Sequence, residues 1–170
     1  MGKAYLAKLT RWGGLVVVVI ALGLPAFAVQ AGEMVIKAQN IQSKSEASWK
    51  QIGDDENHGV GAYESIGLTL HENDEVSTYT NKGTYESKDG IGKHQGFVVR
   101  KYPDGSTTTT RYEGNSKPAG EGLRVWEGTS IWISGTGKFE GVKGEATYKG
   151  TRYPNKMSVT DWEAKVVVPE

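Results

Sequence analysis

Two glutamates are the first candidates for chemistry, because each interrupts an apolar face of a predicted strand. Side chains alternate across a strand. In residues 60–70 the alternate positions that carry Glu64 are otherwise apolar, and in residues 123–134 the same is true of Glu127. A carboxylate on an inward face loses hydration, so its pKa rises unless it gains hydrogen bonds or a cation. Such a group can act as an acid or base, or can orient a ligand.

A second interpretation of the two glutamates is that β-bulges turn them outward, since one inserted residue reverses the parity of a strand. Gly61 and Gly67 lie close to Glu64, and Gly128 directly follows Glu127. Glycines at these positions are compatible with bulges, so the sequence leaves both orientations open.

Aromatic residues occupy the opposite face of the strand that carries Glu127. Trp126 and Trp132 share that face, and Tyr148 lies on a later predicted strand. An aromatic-lined pocket suits a flat, largely apolar ligand, whereas the alternative is ordinary packing between strands. The predicted ligand-binding residues are Glu64, Glu127, Trp126, Trp132 and Tyr148.

The sequence predicts neither a metal site nor a cofactor. His58, His71 and His94 have no zinc-binding spacing, and the chain contains no cysteine. The acidic stretches at 54–56 and 72–75 lack a calcium-loop pattern, so they indicate solvated loops. Phosphate-binding, dinucleotide-binding and nucleophile-elbow motifs are also absent from the sequence.

Short runs rich in Thr, Tyr, Val, Ile and Trp, separated by turn residues, predict an all-β fold. The predicted strands cover residues 34–39, 48–52, 60–70, 76–86, 94–102, 107–113, 123–134, 145–153 and 158–168. Residues 103–105, Pro-Asp-Gly, predict a hairpin, and residues 88–90 predict a second turn. Residues 40–48 and 54–58 are predicted as polar loops, the first with at most one helical turn. The favoured fold is an antiparallel barrel of eight strands, or of eight to nine, because closure of the sheet removes exposed strand edges. A two-sheet sandwich is the alternative.

The first 28 residues have the three parts of a secretory signal peptide. Lys3, Lys8 and Arg11 precede an apolar run of 12 residues, 13–24, which is followed by an Ala-x-Ala site. Cleavage is predicted after Ala28, with Ala31 as the alternative. An uncleaved anchor is disfavoured because a bilayer requires about 20 apolar residues. Residues 29–170 are therefore predicted to form one exported barrel domain, periplasmic or secreted.

Removal of the leader leaves a mildly acidic chain. It takes three of the 20 Lys and Arg residues and none of the 20 Asp and Glu residues, so 17 positive charges remain against 20 negative ones. Nucleic-acid binding depends on clustered basic residues and is not expected. The leader is the only predicted membrane segment, and the oligomeric state is left open. A transmembrane barrel is disfavoured because neither face of residues 107–113 supplies a lipid-facing apolar band.

The stretch GTGKFEGVKGEATY, residues 135–148, resembles the GTGxFxGxxGxxxY signature of the allene oxide cyclase and dirigent barrel superfamily and its small bacterial relatives. The hairpin at 102–106 and the strand at 126–134 follow the order of that family, and the resemblance spans residues 79–153. It implies an eight-stranded antiparallel barrel with a ligand cavity. The plant enzymes of the family guide a reactive oxylipin or a phenoxy radical through cyclisation or coupling. Their catalytic residues have no counterparts that match position by position here.

Three functions follow from these observations. The first is a barrel that binds a small apolar or aromatic ligand, with Glu64 and Glu127 as polar anchors. The second is a cofactor-free enzyme of the cyclase or isomerase type, in which a buried glutamate acts as acid or base. The third is a structural envelope protein whose barrel is filled by its own side chains.

Overall fold

The computed structural model describes residues 32–169. The predicted leader and both of its cleavage sites lie outside the described residues. Nine strands and one short 3-10 turn follow in order. The strands are β1 (Gly32–Ala47), β2 (Lys50–Ile52), β3 (Asp55–His71), β4 (Val76–Lys88), β5 (Ile91–Lys101), β6 (Thr107–Pro118), β7 (Arg124–Thr136), β8 (Lys143–Arg152) and β9 (Ser158–Val168), with the 3-10 turn at Gly137–Phe139 between β7 and β8.

The strands form one antiparallel sheet that closes on itself. Each strand from β3 to β9 pairs with the next strand along the chain. The first part of β1 pairs with β9, and its second part pairs with β3. The short strand β2 pairs with the beginning of β3. The predicted all-β antiparallel barrel is thereby confirmed: eight strands close the wall and β2 is additional.

Both predicted turns are present. In the hairpin between β5 and β6, the Gly105 amide donates to the Tyr102 carbonyl at 3.0 Å, and Gly105 has a φ of 86°. Gly90, between β4 and β5, has a φ of 78°. Glycine adopts this left-handed region without the steric cost that a Cβ brings, so it permits both reversals of the chain.

The glycine-rich stretch after β7 closes one end of the barrel. Phe139 and Val142 are buried there, and the Phe139 ring centroid lies 4.6 Å from that of Tyr102. Just outside this end, the Lys138 ammonium binds the carboxylates of Glu75 and Asp104, so that three connections are held together. We call the buried cluster at this end the floor. Its members are Ala38, Tyr102, Trp132, Phe139, Val142, Ala146, Trp162, Ala164 and Val166.

Two segments predicted as polar loops are strands instead. Residues 40–47 continue β1, and residues 55–58 begin β3. Both predictions were wrong because these stretches lack apolar alternation. Asn40 and Gln42 contribute polar side chains to the interior of the barrel, while neighbouring residues face solvent. A strand between two polar environments has no periodic apolar signal to detect.

The outer wall carries exposed apolar side chains on β3, β5 and β7. They are Val60, Ile66, Leu68, Leu70, Phe97, Val99, Ile131 and Ile133, each 37–48% exposed. The apolar faces that the sequence suggested as inward on β3 and β7 are thus the outer faces. Within residues 32–169, no helix has the length and apolar character needed to cross a bilayer.

Candidate functional site

The barrel encloses a cavity of about 580 Å³. Its walls are the inner faces of the strands, whose side chains alternate along each strand with those of the outer face. The floor closes its inner end. The opposite end opens to solvent past Trp49, which is 43% exposed, and past Glu56. A second, shallow concavity of about 1110 Å³ crosses the outer wall. The interior cavity is the better candidate site because its walls are aromatic and it removes a ligand from water.

Three of the five predicted site residues line this cavity. Trp126, Trp132 and Tyr148 all face it, and Trp132 also belongs to the floor. The Trp126 indole donates to the Thr160 hydroxyl at 3.2 Å. The structure therefore brings these three aromatic side chains together on the walls of one enclosed space.

Glu64 and Glu127 do not reach the cavity. The Glu64 side chain is 51% exposed and pairs with Lys82 at 3.3 Å. The Glu127 side chain is 69% exposed and lies 4.0 Å from Lys149. Of the two orientations left open by the sequence, the outward one is present, because the apolar face of each strand forms the outside of the barrel; the prediction that Glu64 and Glu127 line a ligand site is therefore wrong. No local bulge is required, since the whole strand has the opposite facing.

Glycines opposite aromatic residues determine the shape of the cavity wall. Six aromatic rings each lie across a glycine on the neighbouring strand, where a Cβ would overlap the ring. These cross-strand pairs are Gly61 with Tyr85, Gly67 with Tyr79, Gly83 with Tyr63, Gly96 with Tyr112, Gly128 with Tyr148, and Gly150 with Trp126. Because the glycines leave room, the rings lie against the wall and the centre stays open.

A chain of hydrogen bonds links lining residues of β3, β6 and β4. The hydroxyls of Tyr63 and Tyr112 are 2.5 Å apart, and the Tyr112 hydroxyl donates to Asn81 Oδ1 at 2.7 Å. Since that proton goes to Asn81, Tyr63 is the donor in the first bond. Burial raises the pKa of Tyr63 and the pKa of Tyr112. Both phenols are therefore neutral at physiological pH.

His94 and Tyr148 form a second polar pair on the same level. His94 Nε2 lies 2.9 Å from the Tyr148 hydroxyl. Burial lowers the pKa of His94 to about 4 and raises the pKa of Tyr148. The pair is therefore an uncharged imidazole and an uncharged phenol, either of which can exchange hydrogen bonds with a bound molecule.

Arg100 lies next to the floor with Trp162 and His71 around it. Arg100 is 5% exposed, and its guanidinium carbon is 4.5 Å from the centroid of the Trp162 ring. Burial lowers the pKa of Arg100 to about 10, so the group remains charged at neutral pH. His71 Nε2 lies 3.0 Å from the Ser77 hydroxyl. Burial, followed by the charge of Arg100, lowers the pKa of His71 to about 4.

Sequence reasoning missed several of these residues as members of a site. The sequence analysis assigned neither Arg100 nor His94 nor the tyrosines of β3, β4 and β6 to the site. The sequence contains a usable signal: in most strands the glycines and the aromatic residues occupy alternate positions of the same parity, and so lie on the same face. That pattern marks an inner face lined by rings and free of bulky aliphatic side chains.

The described residues contain no cluster of three His, Asp or Glu side chains arranged to hold a metal ion. The cavity walls offer phenols, indoles, amides, imidazole and guanidinium groups instead. Such walls suit an organic ligand with a flat body, and they define a closed antiparallel barrel with an aromatic interior.

Solved protein structures include chains with a similar fold. The pterocarpan synthase dirigent protein GePTS1 has a similar barrel, with a TM-score of 0.45 and 13% sequence identity. The match covers 83% of this chain and 92% of that one. No protein-family model and no curated protein matches the sequence. Similarity at this level gives no information on ligand or activity.

Proposed function

We propose that the protein is a binding module that holds a small, flat, largely apolar molecule inside the barrel. The observation that carries this proposal is the open cavity of about 580 Å³ with aromatic walls. Ligand pockets typically have volumes of roughly 300–1,000 Å³ and predominantly apolar linings with a few polar groups. Tryptophan and tyrosine rings supply the apolar contacts, and the buried hydroxyl, amide and imidazole groups supply orientation.

The two other functions have less support. A barrel of eight strands can be filled by its own side chains, but here glycines leave the centre open. A glutamate-dependent enzyme needs a carboxylate in the cavity, whereas Glu64 and Glu127 lie on the outer wall. Binding therefore becomes the leading hypothesis, with anchors other than those first suggested.

Filling the cavity tests this function. Ser130 lines the cavity on β7, so Ser130→Phe should occupy part of the space. The neutral dye N-phenyl-1-naphthylamine should bind the wild-type protein and gain fluorescence. We expect the variant to bind the dye about tenfold more weakly, because a ligand loses contacts and volume. The matched control is Thr129→Phe, whose side chain is exposed on the same strand.

Native mass spectrometry of protein purified from its own host complements the dye experiment. Retained mass that disappears in Ser130→Phe but persists in Thr129→Phe would identify the natural ligand class. If the wild-type protein neither retains a small molecule nor binds the dye, the binding proposal is wrong. If Ser130→Phe and the wild type bind the dye equally, the dye occupies some other surface.

Export is a further part of the proposal, and its support is the sequence pattern of residues 1–31. We expect the protein recovered from the periplasmic or secreted fraction to begin at Val29 or Gly32. Intact mass measurement would distinguish the two cleavage sites. Full-length protein confined to the cytoplasm would contradict export, and full-length protein in the membrane fraction would favour an uncleaved anchor.

A further inference from the structure

Arg100 is a buried cation without an anionic partner. It is 5% exposed, and its Nε atom is fully enclosed without a hydrogen-bond partner among residues 32–169. In that part of the chain, every ion pair uses other residues. The closest compensation is the face of Trp162, which attracts the guanidinium through its π electrons. That contact leaves the Nε–H, which lies in the guanidinium plane, without an acceptor among residues 32–169.

Among the described residues, the cavity lining has more positive than negative side chains. It includes three arginines, Arg100, Arg124 and Arg152, and one carboxylate, that of Glu56. Arg124 and Arg152 pair across β7 and β8 at the open end, where Glu56 also lies, so Arg100 is the charged lining residue next to the floor. Glu75, on the far side of the floor, is already paired with Lys138. A cavity with low-dielectric walls and one sign of charge concentrates its field on whatever enters.

A buried guanidinium is stable when an anion satisfies its planar donors. Taking a charge out of water costs several kcal/mol in proteins, and the cost is recovered through opposite charge and good hydrogen bonds. The N–H groups of arginine form a rigid fork that matches the two oxygens of a carboxylate. Because Nε is enclosed, the two Nη groups are the donors that water in the cavity can solvate, and an anionic ligand can displace that water.

We infer that the floor of the cavity is an anion site in which Arg100 binds the acidic group of an aromatic or similarly flat ligand. This inference deepens the proposed binding function and rests on it. The acidic group, a carboxylate or a chemically similar anion, enters first and accepts from Arg100. The apolar body then lies between Trp132 and the tyrosines of the wall. The neutral His94–Tyr148 pair lies nearer the open end and contacts the trailing part of the ligand.

Two dyes that differ by one anionic group test the inference. 1-Anilinonaphthalene-8-sulfonate is N-phenyl-1-naphthylamine with an added sulfonate. We expect the wild-type protein to bind the sulfonate dye about tenfold more tightly, a difference of about 1.4 kcal/mol, because the sulfonate accepts a charge-assisted hydrogen bond from Arg100. In Arg100→Gln the sulfonate dye should lose that advantage, while the neutral dye should keep its affinity within about twofold. Arg111→Gln, on the outer wall, should leave both affinities unchanged.

The outcomes separate this inference from the binding function. Equal affinity of the two dyes for the wild type, or an unchanged ratio in Arg100→Gln, overturns the anion site and leaves the binding module standing. Failure of both dyes, with no ligand retained in native mass spectrometry, overturns the binding module itself. Loss of an equal factor for both dyes in Arg100→Gln would show a structural role and would also contradict the inference.

A measurement on the wild type alone covers the case in which Arg100→Gln does not fold. 2-Naphthoate and 2-naphthylmethanol have the same ring system and differ in the charge of the substituent. We expect naphthoate at equal concentration to raise the melting temperature more than the alcohol, because only the carboxylate satisfies Arg100. Equal shifts, or a larger shift with the alcohol, would overturn the anion site.

Discussion

Trp162→Ala is expected to lower the free energy of unfolding by about 3–5 kcal/mol, the range typical of a large aromatic residue removed from a core. Trp162 is 7% exposed, and its indole donates to Asn40 Oδ1 at 3.1 Å. Its ring packs edge-on against His71, with centroids 5.9 Å apart, and covers the guanidinium of Arg100. Truncation therefore opens a hole in the floor and removes the ring that stacks on the buried charge of Arg100.

Guanidinium chloride unfolding at neutral pH measures this loss, with Trp49→Ala as the matched control. Trp49 is 43% exposed and stacks on Tyr85 at 5.7 Å between centroids. An exposed aromatic pair contributes roughly 0.5–1.5 kcal/mol beyond its buried area, so the control should lose much less stability. Equal losses for the two variants would mean that the floor is not the main core of the barrel.

Stability is expected to fall as the pH drops from about 6.5 to about 4, before most exposed carboxylates titrate. The pKa values of His71 and His94 are both lowered from 6.5 to about 4 in the folded protein. Between these two values the unfolded chain binds protons that the folded chain does not. Acid therefore favours unfolding in this window, and the stability is fully present above about pH 6.5.

The size of the effect follows from the pKa difference. One pKa unit corresponds to about 1.4 kcal/mol, so each histidine can contribute up to roughly 3 kcal/mol. His71 is influenced by Arg100, Glu75 and Lys138, whereas the lowered pKa of His94 has burial as its cause. The two contributions should therefore respond differently to salt. The contribution of His94 should be the less salt-sensitive of the two, because its lowered pKa comes from burial and not from a charged neighbour.

Denaturant unfolding at several pH values between 7 and 4 provides the measurement for the wild type, His71→Asn, His94→Gln and the double variant. Each single variant should lose part of the pH dependence, and the double variant should be nearly flat above about pH 4.5. A flat wild-type profile, or a double variant with the full wild-type slope, would contradict the burial of these imidazoles. Circular dichroism at pH 7 verifies that each variant is folded.

The strand pattern and the barrel were predictable because local signals agree with the global fold. The Pro-Asp-Gly turn at 103–105 and the runs of β-forming residues specified hairpins, and closure followed from the number of strands. Residues 40–47 were not predicted as a strand because Asn40 and Gln42 place polar side chains in the cavity. A strand with polar residues on both faces has no apolar periodicity that would reveal it.

The orientation of the site could not be obtained from apolar periodicity. The usual assumption places the apolar face of a strand inside, and in this barrel the assumption fails for β3 and β7. Leu68 and Ile131 point outward, while Ser65 and Ser130 face the cavity. A barrel that keeps its centre open has less use for aliphatic side chains inside. Only the pairing of glycines with rings across strands distinguishes the faces, and that pairing depends on register.

The pairing of β1 with β9 makes the closure of the barrel depend on its first and last strands. β1 also pairs with β3, which is near in sequence, but its other partner is the strand most distant from it along the described chain. Contacts between such distant segments must overcome a large loss of chain entropy, so they form late. Until then β1 has an unpaired edge and the aromatic interior is open to water, which is the condition that chaperones recognise. The interior cavity therefore requires the complete barrel, because its wall is closed only when β1 is paired with both β3 and β9.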